Sequence, residues 1–231
     1  MNAKGVKKME PMLDENIRQQ VREFFNDLEH ETVVLFFGSD DPAECQYCAE
    51  TRQLLEEVTS LSDKLSLKVF DVHTNQAEAK QYKVDAAPTF VIAGKDGDQI
   101  LDYGVRYKGI PAGHEFTSLV NSLLIVSRRE SGLSPETKEF LQTLKSPVHL
   151  QVFVTPTCPY CPRAVVLAHQ LAVESPLVEA EMVEAMEFPE LSNHFNVSGV
   201  PQTTINMGVV NVVGAAPESH LIQEIQKALA N

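Results

Sequence analysis

Basic residues are scarce in this chain: nineteen Lys and Arg stand against thirty-two Asp and Glu, a formal net charge of -13 over 231 residues. A surface of that sign repels phosphate backbones and anionic membranes, which argues against nucleic-acid and membrane partners. The acids are spread along the chain and form no tail, so they read as a solvated, self-repelling surface. Also missing is any run near the ~18 apolar residues of a membrane helix. The start, MNAKGVKKMEPMLDEN, carries three lysines, but Glu10, Pro11 and Asp14 stand where the apolar stretch of a signal peptide should follow. A cytoplasmic location is therefore expected. The glycine-rich segment 103–113 lacks GxGxxG, so no nucleotide site is assigned. The seven histidines, His73 among them, show no metal-like spacing and read as surface or packed residues. No cysteine is left over, because all four fall in two pairs, Cys45/Cys48 and Cys158/Cys161. A reducing cytosol disfavours structural disulfides, so these cysteines point to chemistry and not to stapling.

What is present is a repeat. The length allows one large domain or two small ones, and 43% hydrophobic residues fit a globular protein. Pro88 lies 43 positions after Cys45, and Pro201 lies 43 positions after Cys158. The approaches match as well, Tyr82-Lys83-Val84-Asp85-Ala86-Ala87-Pro88 against Phe195-Asn196-Val197-Ser198-Gly199-Val200-Pro201. Thr89-Phe90-Val91-Ile92 and Gln202-Thr203-Thr204-Ile205 follow, then a strand-ending Gly109 or Gly214. Periodicity fills in each copy. The first reads as strand 32–37, helix 45–64, strand 67–72, helix 76–82, strands 89–93 and 100–105, and helix 113–127. The second reads as strand 148–154, helix 158–173, strand 177–183, a helix near 187–195, strands 203–207 and 209–213, and helix 217–230. A leading helix precedes each, 15–28 and one opened by Ser134-Pro135-Glu136, a cap with proline at the first helical position. The expected architecture is α/β: two tandem domains, 12–130 and 131–231, each a mixed central sheet flanked by helices.

CxxC at a helix start is a thiol-exchange device. Unpaired N–H groups and the positive end of the helix dipole stabilise the thiolate of the first cysteine, the form that attacks disulfides. The second cysteine, one turn on, attacks the mixed disulfide and releases the product. Cys45 and Cys158 are thus the expected attacking thiols, and Cys48 and Cys161 the resolving ones. A zinc site of two CxxC knuckles would need the pairs close in sequence; 109 residues lie between Cys48 and Cys158, against about 15–20 in a zinc ribbon. No metal is assigned. The matched Pro88 and Pro201 predict cis bonds beside the cysteines, with the backbone of Ala87 and Val200 offered to a substrate strand. Tyr47 and Tyr160, between the cysteines, would line that surface. The two sites should differ. Asp40, Asp41 and Glu44 precede Cys45, whereas Thr155-Pro156-Thr157 precedes Cys158 and Arg163 follows it, so Cys158 is expected to have the lower pKa.

Cys45-Gln46-Tyr47-Cys48 and Cys158-Pro159-Tyr160-Cys161, each with its proline, resemble the protein disulfide oxidoreductases of thermophilic archaea and bacteria, a tandem of thioredoxin- and glutaredoxin-like folds. The resemblance covers nearly the whole chain after the first dozen residues. It implies an enzyme of cell redox homeostasis that oxidises, reduces or isomerises protein disulfides through the redox-active pairs Cys45-Cys48 and Cys158-Cys161, with no further cofactor. Its implied partners are protein or peptide substrates and a thioredoxin reductase. Two departures are visible: thioredoxin's buried acid on the strand before CxxC is absent from TVVLFF and HLQVFV, and 22% charged residues show no hyperthermophile-type enrichment. Two other functions compete. One is an electron carrier to a peroxidase, like the amino-terminal tandem of bacterial peroxide-reductase flavoproteins, which typically keeps one CxxC. The other is a redox-independent, chaperone-like peptide binder. Two intact pairs favour exchange.

Overall fold

A computed structural model describes residues 10–230; the lysine-rich start at residues 1–9 lies outside them. Helix α1 (Glu15–Phe25) is capped by the Asp14 carboxylate, which accepts from the Ile17 N–H. Then come β1 (Thr32–Gly38), α2 (Cys48–Thr59), β2 (Leu65–Asp71), α3 (Gln76–Gln81), β3 (Thr89–Asp96) and β4 (Gln99–Lys108). A 3-10 turn at Gly113–Glu115 runs into α4 (Phe116–Arg128). The order then recurs with α5 (Pro135–Gln142), β5 (Val148–Val154), α6 (Cys161–Glu174), β6 (Val178–Glu184), α7 (Pro189–His194), β7 (Gln202–Ile205), β8 (Val210–Val213) and α8 (Glu218–Ala230). Ser134 caps α5 through the Thr137 N–H, with proline in the first turn as its sequence signals.

The strands form one sheet of eight, ordered β2-β1-β3-β4-β6-β5-β7-β8. In the first four, β1 pairs parallel with β2 and antiparallel with β3, which pairs antiparallel with β4. The last four repeat this pattern around β5. The expected separate sheets are instead continuous, because β4 pairs in parallel with β6 from Val105↔Ala180 to Lys108↔Val183. That seam extends β4 three residues beyond the apolar stretch read from the sequence, through Arg106, Tyr107 and Lys108. Arg106 and Lys108 are buried and paired with acids: Arg106 bonds Asp102 at 2.8 Å, and Lys108 reaches the exposed Asp85 at 2.8 Å and the buried Glu181 at 3.5 Å. Polarity hid the strand from a hydrophobic pattern. A register shift between Ile92 and Ala93 leaves Tyr103 and Gly104 unopposed in β4. Gly104 has φ +78, and a Cβ there would sit 2.7 Å from the Val178 carbonyl oxygen, so the seam closes only over glycine.

The core spans the seam. One buried cluster joins Val34, Phe36, Leu55 and Leu123 to Val152, Val165 and Ile225, and includes all four cysteines. Repetition reaches single hydrogen bonds: the Gly109 N–H donates to the Pro88 carbonyl at 2.9 Å and the Gly214 N–H to the Pro201 carbonyl at 2.8 Å. Lys83 and Asn196 occupy the same place with φ 56 and 51.

Candidate active sites

Both cysteine pairs are disulfide-bonded, with Cα atoms 5.4 Å apart for Cys45–Cys48 and 5.5 Å for Cys158–Cys161. Each lies where a central strand ends and a helix begins. One correction concerns the helix starts. The helices begin at the second cysteines, Cys48 and Cys161, while Cys45 and Cys158 lie in the turn before. The reason is local: the Cys45 N–H bonds back to Asp41 and the Cys158 N–H to Thr155, so neither backbone has entered the helix. At the second site the sulfur reaches what the backbone does not. Cys158 Sγ accepts from the Cys161 N–H at 3.1 Å, one of the donors a helix start leaves unpaired. At the first site the sulfur that accepts is that of Cys48, from the Ser39 N–H at 3.2 Å. Cys158 is 7% exposed and Cys161 0%, whereas Cys45 and Cys48 stand at 5% and 6%. Exposure separates an outer from an inner sulfur only at the second site.

Sheet register sets the prolines beside the pairs. Thr89 opposes Phe37 and Gln202 opposes Phe153, so Pro88 and Pro201 fall next to the strand ends from which the cysteine turns depart. The bonds Ala87-Pro88 and Val200-Pro201 are both cis. Pro88 and Pro201 are buried, and Ala87 and Val200 half-buried. Tyr160 is 64% exposed and Tyr47 37%, so both rings reach solvent at the mouths of their sites. A groove of about 840 Å³ opens beside Cys45 and Cys48, with Asp40, Glu50 and Asp71 on its walls.

Several features around the sites escaped the sequence. Glu44 does not face Cys45 as a bare charge: its carboxylate accepts from Ser39 at 3.0 Å and contacts His73 Nε2 at 2.6 Å. The hydrogen bond and charge of Glu44 raise the His73 pKa, and the same contact lowers that of Glu44. The second is Glu115, 1% exposed, which burial pushes up to about 7. Its neighbours hold the loop before Cys158, since the His114 N–H donates to the Pro156 carbonyl at 3.0 Å. Gly113 makes that approach possible, because a Cβ there would lie 2.3 Å from the Pro156 oxygen. One Glu115 oxygen, Oε1, is buried without a hydrogen-bond partner. A carboxyl from the first half of the chain is thus buried in the turn that packs on the loop before the second cysteine pair, while the strands before both pairs carry no acid. The third is Glu187, pushed up to about 7 by burial, which accepts from the Ile110 N–H at 2.7 Å. No spacing rule links residues 115 and 158; the signal exists only in the packing of the 3-10 turn on α6.

The sheet, the flanking helices and two CxxC disulfides at strand ends define an α/β oxidoreductase of the thioredoxin class. A family model described as a thioredoxin domain matches residues 148–227. A protein disulfide oxidoreductase from Aeropyrum pernix is 33% identical in sequence and superposes with a TM-score of 0.85, over 95% of this chain and 96% of that one. The chain belongs to the protein disulfide oxidoreductase family. It is also similar to the NTD_N/C domain of alkylhydroperoxide reductase AhpF from Enterococcus faecalis, at 28% identity and a TM-score of 0.83, over 92% of this chain and 99% of that one. An alkyl hydroperoxide reductase chain of Staphylococcus aureus is 29% identical over 84% of this chain and 34% of its own length. The chain spans about a third of the length of the curated relatives it matches. No helix among the described residues is long and apolar enough to cross a membrane.

Proposed function

We propose that the chain is two thioredoxin-like units, divided near residues 130 and 131, that catalyse dithiol–disulfide exchange on proteins. The observation that carries this reading is the second site, where the outer sulfur, Cys158, accepts a helix-start N–H and the inner one is sealed. The Cys158 thiolate attacks a substrate disulfide, forming a mixed disulfide and expelling one substrate thiolate. Cys161, its proton passed to the Glu115 carboxylate, then attacks Cys158 and expels the second. Two electrons go from the protein dithiol to the substrate, and the protein is left oxidised. The reverse sequence oxidises a substrate dithiol. Cys45 and Cys48 act likewise at the first site. Tyr47 and Tyr160 line the substrate surface, and the backbone of Ala87 and Val200, ahead of Pro88 and Pro201, pairs with the substrate chain. The cysteines carry the electrons without a further cofactor, and a reductase of the thioredoxin-reductase kind recharges them in the cytoplasm.

Insulin reduction by dithiothreitol, followed with the full chain and with all four cysteines replaced by serine, tests this. Catalysis lost in the variant supports it; equal rates overturn it. The likeness to the Enterococcus faecalis domain supports a second reading, delivery of electrons to a peroxidase. Peroxide consumption by a peroxiredoxin supplied with this reduced chain alone would distinguish the two.

A further inference from the structure

Beside the first site lies a pocket to which the second half of the chain contributes a wall. It encloses about 550 Å³, lined by Asp85 and Ala86 on the approach to Ala87 and Pro88, and by Phe188, Pro189 and Leu191 at the start of α7. Contacts across the seam hold that wall in place. The Ile110 N–H donates to Glu187 at 2.7 Å. Gly109, whose N–H holds the Pro88 carbonyl at 2.9 Å, abuts Glu184 so closely that a Cβ there would lie 2.6 Å from the Glu184 Cβ. Burial, then the charges of Glu184 and of Glu50, two residues past Cys48 on α2, push Glu187 up to about 7 against its Ile110 hydrogen bond. The wall is thus tied to Pro88 by bonds and to the first cysteine helix by charge. Inside the pocket the charges are matched. Lys108, 5% exposed, holds its ammonium 2.8 Å from Asp85, 3.5 Å from Glu181 and 5.9 Å from the centre of the Phe188 ring. Glu190 and His194 are exposed, where water and salt screen them. What remains for a ligand is the apolar surface of Ala86, Phe188, Pro189 and Leu191. The repeat supplies a contrast: Gly199 takes the place of Ala86 at the second site, is exposed, and would meet nothing within 4 Å of an added Cβ.

We propose that this pocket is a substrate subsite: it takes a large apolar side chain, one or two residues from the target cysteine, of a protein whose disulfide is exchanged at Cys45. The second half of the chain thereby sets the specificity of the first site. This rests on the exchange reading, in which the Ala87 backbone pairs with the substrate as a strand. Successive residues of a paired strand advance about 3.3 Å and alternate in direction, so one side chain near the cysteine turns toward Ala86 while its neighbours point away. Burying that side chain against Phe188 and Leu191 supplies affinity that a glycine lacks.

The test uses two full-length proteins, one with Cys158 and Cys161 replaced by serine and one with Cys45 and Cys48 replaced. Fluorogenic peptide disulfides carry Phe, Gly or Lys at each of the two positions on either side of a single cysteine, and dithiothreitol drives their reduction. At one position the first-site protein should prefer Phe to Gly about tenfold in kcat/KM, through KM, and the second-site protein should show a ratio near one. Ala86→Leu, which fills the pocket, and Phe188→Ala, which removes its wall, should each bring the first-site ratio near one. The Leu variant answers the question should loss of Phe188 from its cluster with Phe153 and Phe195 unfold the chain. A first-site ratio near one at every position, an equal preference at both sites, a preference that survives Ala86→Leu, or Lys ranking above Phe overturns the subsite. A first-site protein that reduces none of the peptides overturns the exchange reading at Cys45, and the subsite with it.

Discussion

At the first cysteine pair, Ser39 donates to the sulfur of Cys48 at the helix start, and the approach to Cys45 is acidic. At the second, the helix-start N–H goes to Cys158, the approach is neutral, and Cys161 is sealed. The first pair opens onto a groove walled by carboxylates. The second lies against a turn from the other half, with Glu115 buried there. A repeated fold has thus placed two disulfides alike and surrounded them differently. Thiolate reactivity depends on the few groups within a bond or two of sulfur, and those are what the copies do not share.

Removing one pair at a time tests this contrast most strongly. Cys158→Ser with Cys161→Ser should lower insulin reduction roughly tenfold, the factor one pKa unit carries, and the same change at Cys45 and Cys48 should cost less than half the rate. Equal losses would erase the distinction. Cys161→Ser alone should trap a mixed disulfide that peptide mapping places on Cys158.

Glu115→Gln acts on the second site only. The rate there should rise with pH through about 7 in the parent, as the carboxylate forms, and the variant should lose that rise. The stability sign follows separately. The native carboxyl holds its proton between the ordinary 4.5 and about 7, so stability falls as pH rises across that window. At pH 8 the Gln variant should therefore be the more stable, by of order 2 kcal/mol in urea unfolding. A variant less stable at pH 8 would show that Glu115 is not held protonated by burial.

Thiolate absorbance, titrated in the two single-pair proteins, should give Cys158 the lower pKa, by about one unit. A lower value at Cys45 would reverse the comparison. The smallest expected effect belongs to His73→Gln. With the imidazole gone, Glu44 keeps its charge near Cys45 uncompensated, and the Cys45 pKa should rise by a few tenths in a screened, exposed setting. The difference between parent and variant should fade as pH rises through the raised His73 pKa, because the neutral ring no longer compensates. An effect of the same size at Cys158 would place its origin elsewhere.

Local chemistry wrote much of this protein into its sequence. The TVVLFF and VHLQVFV strands, the Ser134 cap, the two CxxC pairs and their prolines 43 residues on were all legible, because each depends on neighbours in the chain or on a repeat. The helix starts were misplaced by three residues, since periodicity does not show where the first backbone hydrogen bond closes. Arg106 to Lys108 did not read as strand, because their charges are matched by Asp102, Asp85 and Glu181, two of them distant in sequence. Only the tertiary structure joined the halves into one sheet, bound Glu44 to His73 and buried Glu115 in the turn that packs on the loop before Cys158. Burial and pairing between residues tens of positions apart are properties of packing, and a carboxyl's proton affinity follows from what packs around it.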